Sequence, residues 1–349
     1  MDFSEYSIKF KSKAEKAGYS ESDISYYLDY AEKLYQKNLP VIYNTSHLGA
    51  LTGYSTDYIR RAVVHTKYFY RTFYISKKNG KKRTINEPLP SLKEIQLWIN
   101  DNVLSHIKPS KFAKAYIKSR GIIDNVKYHK AKKFIFNLDL QDFFPSISIH
   151  TIELFFLQLG YSNNLSNLLA KLCCLDGRLA QGAPTSPALS NHVLYQFDEA
   201  IGQYAVENNL RYTRYADDLT FSFNYNFDVA HIENKVKECL KLIEHSSLKI
   251  NTEKTHLLKK SDRQVITGIV VNEFPQTPIK YRKRIRQEIY YIKKFGLIDH
   301  LNQIQETRKN YLYHILGKIN FVLSINPKDP EMKSYKDFVQ TLFTNSAND

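Results

Sequence analysis

The sequence predicts an α+β fold in which an antiparallel sheet carries a group of acids, with helical segments before and after it. Three observations predict this. Phe134-Ile-Phe-Asn-Leu-Asp139 is an apolar run of strand character that ends on an acid. Leu210-Arg-Tyr-Thr-Arg214 and Leu219-Thr-Phe-Ser-Phe223 read as two strands joined by the tight turn Tyr215-Ala-Asp-Asp218. Beyond Pro278, Ile285, Ile289 and Ile292 recur at helical spacing among basic residues.

In chain order, residues 1 to about 65 read as helical and polar-aromatic, as in Ser22-Asp-Ile-Ser-Tyr-Tyr-Leu-Asp-Tyr-Ala-Glu-Lys-Leu-Tyr35. Helices start near Ser46 and Ser55, where Ser or Thr can cap. Tyr68 to Ile75 and Lys82 to Ile85 form a β-hairpin around Asn79-Gly80, the strongest short turn signal. A helix is expected over Leu92 to Ile107, a strand over Phe134 to Leu140, and a helix from about Ser148 to Leu159. Thr185 to Phe197 opens another helix, with Pro187 suited to its first turn. After the acidic hairpin come a helix over 228–246 and strands around 248–251 and 264–271. Pro275 and Pro278 then mark a boundary to a basic, mostly helical segment.

A chain of 349 residues exceeds the size of one core, so two or three subdomains are expected. Lys+Arg 50 against Asp+Glu 35 gives +15, an excess that favours polyanions and makes association salt-dependent. The N-terminus has no basic and apolar leader, and no apolar stretch approaches a membrane span, so a cytoplasmic protein with no membrane partner is expected. Cys173, Cys174 and Cys239 have no metal-binding spacing and read as buried thiols in a reducing compartment. Tyr281 to Lys294 interleaves tyrosines with Arg282, Lys283, Arg284, Arg286, Lys293 and Lys294, a mixture suited to base stacking and phosphate contact. The same helix can bury its isoleucines and leave its cations in water.

Adjacent carboxylates at a strand turn repel one another, and a hard divalent cation removes the conflict. With Asp139 as partner, Asp217 and Asp218 could hold two Mg²⁺ ions about 3.5–4 Å apart, one activating a 3′-hydroxyl and the other stabilising leaving pyrophosphate. Asp139 and Asp217 are the favoured direct ligands, and Asp218 ligates or organises; Mn²⁺ is the alternative ion.

Six blocks in order make the chain resemble a reverse transcriptase. Lys77-Lys-Asn-Gly-Lys-Lys-Arg83-Thr-Ile-Asn-Glu-Pro88 is similar to the fingers hairpin that grips triphosphate, and Asp139 to Ile147 resembles the first catalytic block. Ala180-Gln-Gly-Ala-Pro-Thr-Ser-Pro-Ala-Leu-Ser-Asn191 resembles the template-positioning block, and Tyr215 to Asp218 the second catalytic block. Ile250 to His256 and Val265 to Asn272 resemble the two that follow. The resemblance implies a right-hand polymerase, with an N-terminal helical region (1–65), fingers and palm (66–275), and a helical basic thumb (276–349). It implies that the Leu140 backbone carbonyl faces a metal and that Lys77, Lys78, Lys82 and Arg83, Arg83 first, neutralise triphosphate. Phe144 matches the aromatic gate that excludes a 2′-hydroxyl, while Phe143, on the other face, belongs to the core. Gln181 and Gly182 would sit near the base pair and template, the glycine also serving a turn. Lys254 resembles the lysine thought to protonate or position pyrophosphate.

Asn125-Val-Lys-Tyr-His129 resembles the Asn-Ala-x-x-His block of retron enzymes, and Val265-Ile-Thr-Gly268 resembles their Val-Thr-Gly block. Val126, Ile266 and Ala180 (the last where Pro usually precedes Gln-Gly) depart from the pattern by small apolar exchanges. The retron resemblance implies a cognate non-coding RNA of msr-msd type, primed from a guanosine 2′-hydroxyl to give a branched RNA–DNA hybrid (msDNA), with dNTPs as substrates. It also implies RNA contact through Asn125, His129 and the thumb, and an anti-phage role with a separate effector protein. A structural histidine is the other reading of His129. The competing functions are another bacterial reverse transcriptase, of abortive-infection, defence-associated or group II intron-derived type, and a non-catalytic RNA-binding scaffold.

Overall fold

The computed structural model describes residues 2–76, Gly80 and 82–345. The chain divides into two compact units, the first made of 1–117, 140–201 and 230–251 and the second of 118–139, 202–229 and 252–349.

The first unit begins with four helices, α1 (Phe3–Lys16), α2 (Glu21–Gln36), α3 (Thr45–Thr52) and α4 (Thr56–Val64). Asn44, not Ser46, caps α3, its Oδ1 accepting from the His47 N–H at 2.9 Å, while Ser55 caps α4 as expected. Strands β1 (Tyr70–Ser76) and β2 (Lys82–Pro88) pair antiparallel, Ile75 opposite Arg83. Helix α5 (Pro90–Asn102) follows.

The second unit then supplies α6 (Ile122–Val126) and β3 (Phe134–Asp139). Back in the first unit, α7 (Ile149–Leu159) is capped by Ser148. Helix α8 (Asn163–Cys173), which the sequence reading did not mark, leads into the short hairpin β4 (Cys174–Leu175) and β5 (Arg178–Leu179). The helix expected from Thr185 is two, α9 (Ser186–Val193) and α10 (Tyr195–Glu207). All three cysteines are free and buried.

The four-stranded antiparallel sheet lies wholly in the second unit. Strands β6 (Arg211–Tyr215), β7 (Asp218–Phe223), β3 and β8 (His256–Lys259) pair in the order β6-β7-β3-β8. Helix α11 (Val229–Leu240) ends six residues short of its expected end at 246. The closing strands also differ from expectation. Ile250 makes only an isolated bridge to Leu140, and the fourth strand is β8 instead. That strand is exposed along most of its length, so it carries little apolar alternation to read. Residues 264–271 fold back on themselves as β9 (Val265–Ile266) and β10 (Ile269–Val270), because Thr267 (φ 46°) and Gly268 (φ 84°) make a two-residue left-handed turn.

Helices α12 (Ile279–Phe295), α13 (Leu297–Gln303), α14 (Tyr311–Ile325) and α15 (Pro330–Asn345) complete the second unit. Ile285, Ile289 and Ile292 bury against Tyr311, Ile315, Ile319 and Val322 of α14 and Met332 and Val339 of α15. The predicted apolar stripe is thus the core of this helical segment. Among the described residues no helix is long and apolar enough to cross a membrane.

Candidate active site

Residues directly opposite in an antiparallel ladder share a face, so register places the acids. Asp139 pairs with Asp218, and Asp218 with Tyr215, which puts all three on one face at one end of the sheet. The next row on that face is polar: Thr213, Thr220, Asn137 and His256. The opposite face is apolar, with Tyr212, Phe221, Phe136 and Leu257 side by side. Asp217 stands in the turn beside Ala216, whose φ of 59° is left-handed and costs about 1–2 kcal/mol for a residue with a Cβ. Buried Arg214 donates from Nη1 to the Ala216 carbonyl at 3.2 Å and so ties the turn from beneath.

Lys254 reaches the same corner. Its Nζ donates to Asp139 Oδ1 and Oδ2 at 2.9 and 2.8 Å. Burial works to lower the Lys254 ammonium, but the bond to Asp139 and the charges of Asp139, Asp217 and Asp218 outweigh it and hold it above its ordinary value. Burial, then Asp217 and Asp139, pushes the Asp218 carboxyl up to about 7, and Lys254 pulls it back. Three carboxylates under mutual repulsion, one driven toward protonation, are a donor set that fits a hard divalent cation. Among the described residues, however, no three His, Cys, Asp or Glu side chains stand together as a preformed metal cage; the Asp139 carboxylate is turned to Lys254.

The polar row also contributes residues that the sequence reading did not single out. The Thr220 hydroxyl donates to Asn137 Oδ1 at 3.2 Å, and Asn137 Nδ2 donates to His256 Nε2 at 3.3 Å. His256 Nδ1 in turn donates to the Lys254 carbonyl at 2.8 Å, so the sheet holds the backbone that carries the ammonium. Asn137 was legible: it is the one polar side chain on the acid side of an apolar strand.

The first unit presents a second group. Lys82, Arg83, Asn86, Asp142, Arg178 and Gln181 line a groove of about 400 Å³. Gln181 accepts from the Asn86 N–H at 2.8 Å, and Gly182 follows at φ 126°. A Cβ on Gly182 would lie 2.7 Å from the Asn86 carbonyl oxygen, so this glycine serves close backbone approach as well as a turn. Phe143 is buried, as expected for a core residue, while Phe144 is half-buried and rests on Tyr116 with ring centroids 6.1 Å apart. Leu140 is buried at its bridge to Ile250. Lys77 and Lys78 lie outside the described residues.

Two expectations about RNA contact need correction. Asn125 and His129 are completely buried, so neither offers a side chain to an outside partner; Asn125 Oδ1 and both His129 ring nitrogens bond to β6 and β7, while Asn125 Nδ2 is buried without a hydrogen-bond partner. On α12, half-buried Arg282 pairs with Asp329 and Glu331 and so serves the packing of α15, while Arg286 pairs with Glu331 and stays exposed. Lys283, Arg284, Lys293 and Lys294 are exposed, Lys293 lying over Phe338 and Lys294 over Phe295.

Residues 75–282 match the family described as reverse transcriptase (RNA-dependent DNA polymerase). The retron Ec86 reverse transcriptase of Escherichia coli is 33% identical over 302 residues, covering 85% of this chain and 89% of that one. The retron Mx65 reverse transcriptase of Myxococcus xanthus is 28% identical over 321 residues, 86% of this chain and 72% of its own. The retron Ec83 reverse transcriptase of Escherichia coli is 30% identical over 272 residues, 74% and 83% of the two chains.

Proposed function

The chain belongs to the retron reverse transcriptases, which are RNA-directed DNA polymerases, and on that premise we propose that it copies part of its own structured non-coding RNA into single-stranded DNA. Synthesis starts from a guanosine 2′-hydroxyl of that RNA and leaves a branched RNA–DNA hybrid. The observation that carries the catalytic part is the register of Asp139 with Asp218, with Asp217 in the adjoining turn and Lys254 on Asp139.

Asp139, Asp217 and Asp218 are the residues that would hold divalent ions, with the Leu140 carbonyl as a further oxygen. When bound, two Mg²⁺ (or Mn²⁺) ions would supply Lewis-acid activation of the attacking hydroxyl and charge stabilisation of the departing pyrophosphate. Lys254 carries its proton at Nζ, where it can neutralise or protonate the leaving group. Lys77, Lys78 and Arg83 neutralise the triphosphate, Gln181 and Gly182 position template and base, and the Phe144 ring rejects a 2′-hydroxyl. In this reading fingers and palm occupy 66–275 and the thumb 276–349, the thumb meeting RNA through Lys283, Arg284, Lys293 and Lys294. The biological role is anti-phage defence with a separate effector protein.

The test is to purify the protein from cells carrying its native locus and treat the bound nucleic acid with RNase, DNase and a debranching enzyme before sequencing. Short single-stranded DNA joined 2′–5′ to a structured RNA is expected. DNA without a branch would refute the priming chemistry.

A further inference from the structure

We propose that Asn125 and His129 are positioning residues for the catalytic hairpin: a buried clamp that locks β6 to β7 and sets where the Asp217–Asp218 turn stands against Asp139. The proposal rests on the reading of that turn as catalytic.

The clamp is a chain of buried side-chain hydrogen bonds. The Thr213 hydroxyl on β6 donates to Asn125 Oδ1 at 2.5 Å, so toward His129 its oxygen can only accept. His129 Nε2, 2.8 Å away, therefore carries a proton and donates, and Nδ1 is hydrogen-bonded to the Ser222 hydroxyl of β7 at 2.8 Å. One imidazole thus bridges both arms of the hairpin. Asn125, His129 and Ser222 are fully buried and Thr213 is 1% exposed, so water does not compete for these bonds. By register, Thr213 and Ser222 lie on the same face as Asp139, Asp218 and Tyr215. A slip between the arms would move the carboxylates at the turn.

The clamp is itself anchored. Val126, next to Asn125, is buried in a cluster with Ile135 of β3, Ile266, Ile269, Val271 and Ile325. The Ala131 N–H donates to the Val271 carbonyl at 3.0 Å, and Gln264 Nε2 to the Lys132 carbonyl at 3.0 Å. The two blocks that carry the retron resemblance, Asn125 to His129 and Val265 to Gly268, therefore share one core beside the sheet. What they share is a mechanical task, since neither Asn125 nor His129 exposes a side chain to RNA.

The experiment uses the full chain and two probes. One is poly(rA)·oligo(dT), which needs no cognate recognition; the other is the RNA that co-purifies with the wild-type protein. Thr213→Val keeps the shape of Thr213 and removes its hydroxyl, Thr213→Ser restores the hydroxyl, and His129→Ala removes the bridge. For Thr213→Val and His129→Ala, kcat on poly(rA)·oligo(dT) is expected to fall roughly 10- to 100-fold, the scale of a small misplacement of reacting groups. The Kd for the co-purified RNA stays at the wild-type value, and Thr213→Ser recovers kcat. Should His129→Ala fail to fold, the two Thr213 variants carry the test. A weakened RNA Kd with unchanged kcat on the generic template would overturn the proposal in favour of RNA contact. A lower melting temperature with unchanged kcat would overturn it in favour of a stability role alone. A wild-type protein that cannot extend oligo(dT) at all would instead remove the polymerase reading on which the clamp depends.

Discussion

Replacing Gly182 by alanine concentrates two separate penalties at one atom. At φ 126° an L-residue is strained whatever surrounds it, at about 1–3 kcal/mol. The new Cβ would also meet the Asn86 carbonyl oxygen at 2.7 Å, Ile85 Cγ2 at 2.9 Å and the Asn86 carbonyl carbon at 3.1 Å. Two of these are backbone atoms of β2 and cannot rotate away, so overpacking adds about 1–3 kcal/mol. Relief requires β2 to withdraw from the loop and stretch the 2.8 Å Asn86–Gln181 bond, at a cost of about 1 kcal/mol. The total of about 3–7 kcal/mol corresponds to a fall in Tm of roughly 6–28 °C at about 2–4 °C per kcal/mol for a unit of this size. Because Lys82 and Arg83 ride on the same strand, the KM for dTTP on poly(rA)·oligo(dT) should rise as well. Gly18→Ala is the control: at φ 80° with nothing within 4 Å of the new Cβ, it carries only the torsional penalty. Thermal melts and steady-state kinetics of both variants make the comparison. A Gly182→Ala protein with the Tm and KM of the Gly18→Ala control would refute the close-approach argument.

Asp217→Asn should abolish DNA synthesis while the Kd for the co-purified RNA stays near wild type; synthesis at the wild-type rate would overturn the metal assignment. Lys254→Met leaves the nearly buried Asp139 carboxylate without its ion pair, so Tm in chelator should drop, by about 1–3 kcal/mol in stability, and Mn²⁺ should raise Tm more than in wild type. Equal Mn²⁺ shifts in the two proteins would count against competition for Asp139. Phe144→Ala should raise the efficiency of rUTP relative to dTTP by an order of magnitude or more, and an unchanged ratio would exclude Phe144 as the gate. Burial pushes His192 down to about 4 against the bond its Nε2 donates to the Leu104 carbonyl, so it is neutral in the folded chain at neutral pH. Its folded value lies below the unfolded one, so its stabilising effect is complete above about 6.5 and is lost as pH falls toward about 4. His192→Phe should flatten the Tm profile across that window, and an unchanged slope would assign the acid sensitivity elsewhere.

The acids were legible because their chemistry is local. An apolar strand ending on Asp139 and a turn holding Asp217 and Asp218 each contradict the preferences of a strand unless something outside the chain is bound, and a conflict of that kind is visible in the letters. The Ile285, Ile289 and Ile292 stripe was legible for the related reason that burial at one helical period leaves its pattern in the sequence. The edge strand β8 was not, since an exposed strand need not alternate.

What the sequence determined by itself is the inventory: strand-borne carboxylates, a basic amphipathic helix, buried thiols and turns at the glycines. Tertiary structure decided which residues meet. Whether His129 faces RNA or the protein interior, whether Arg282 is free or held by Asp329, and whether Gly182 is needed for its φ alone or also for its distance to Asn86 depend on long-range packing. A side chain's chemical type sets the bonds it can make, but only the folded neighbourhood supplies the partner, and burial removes water from the choice.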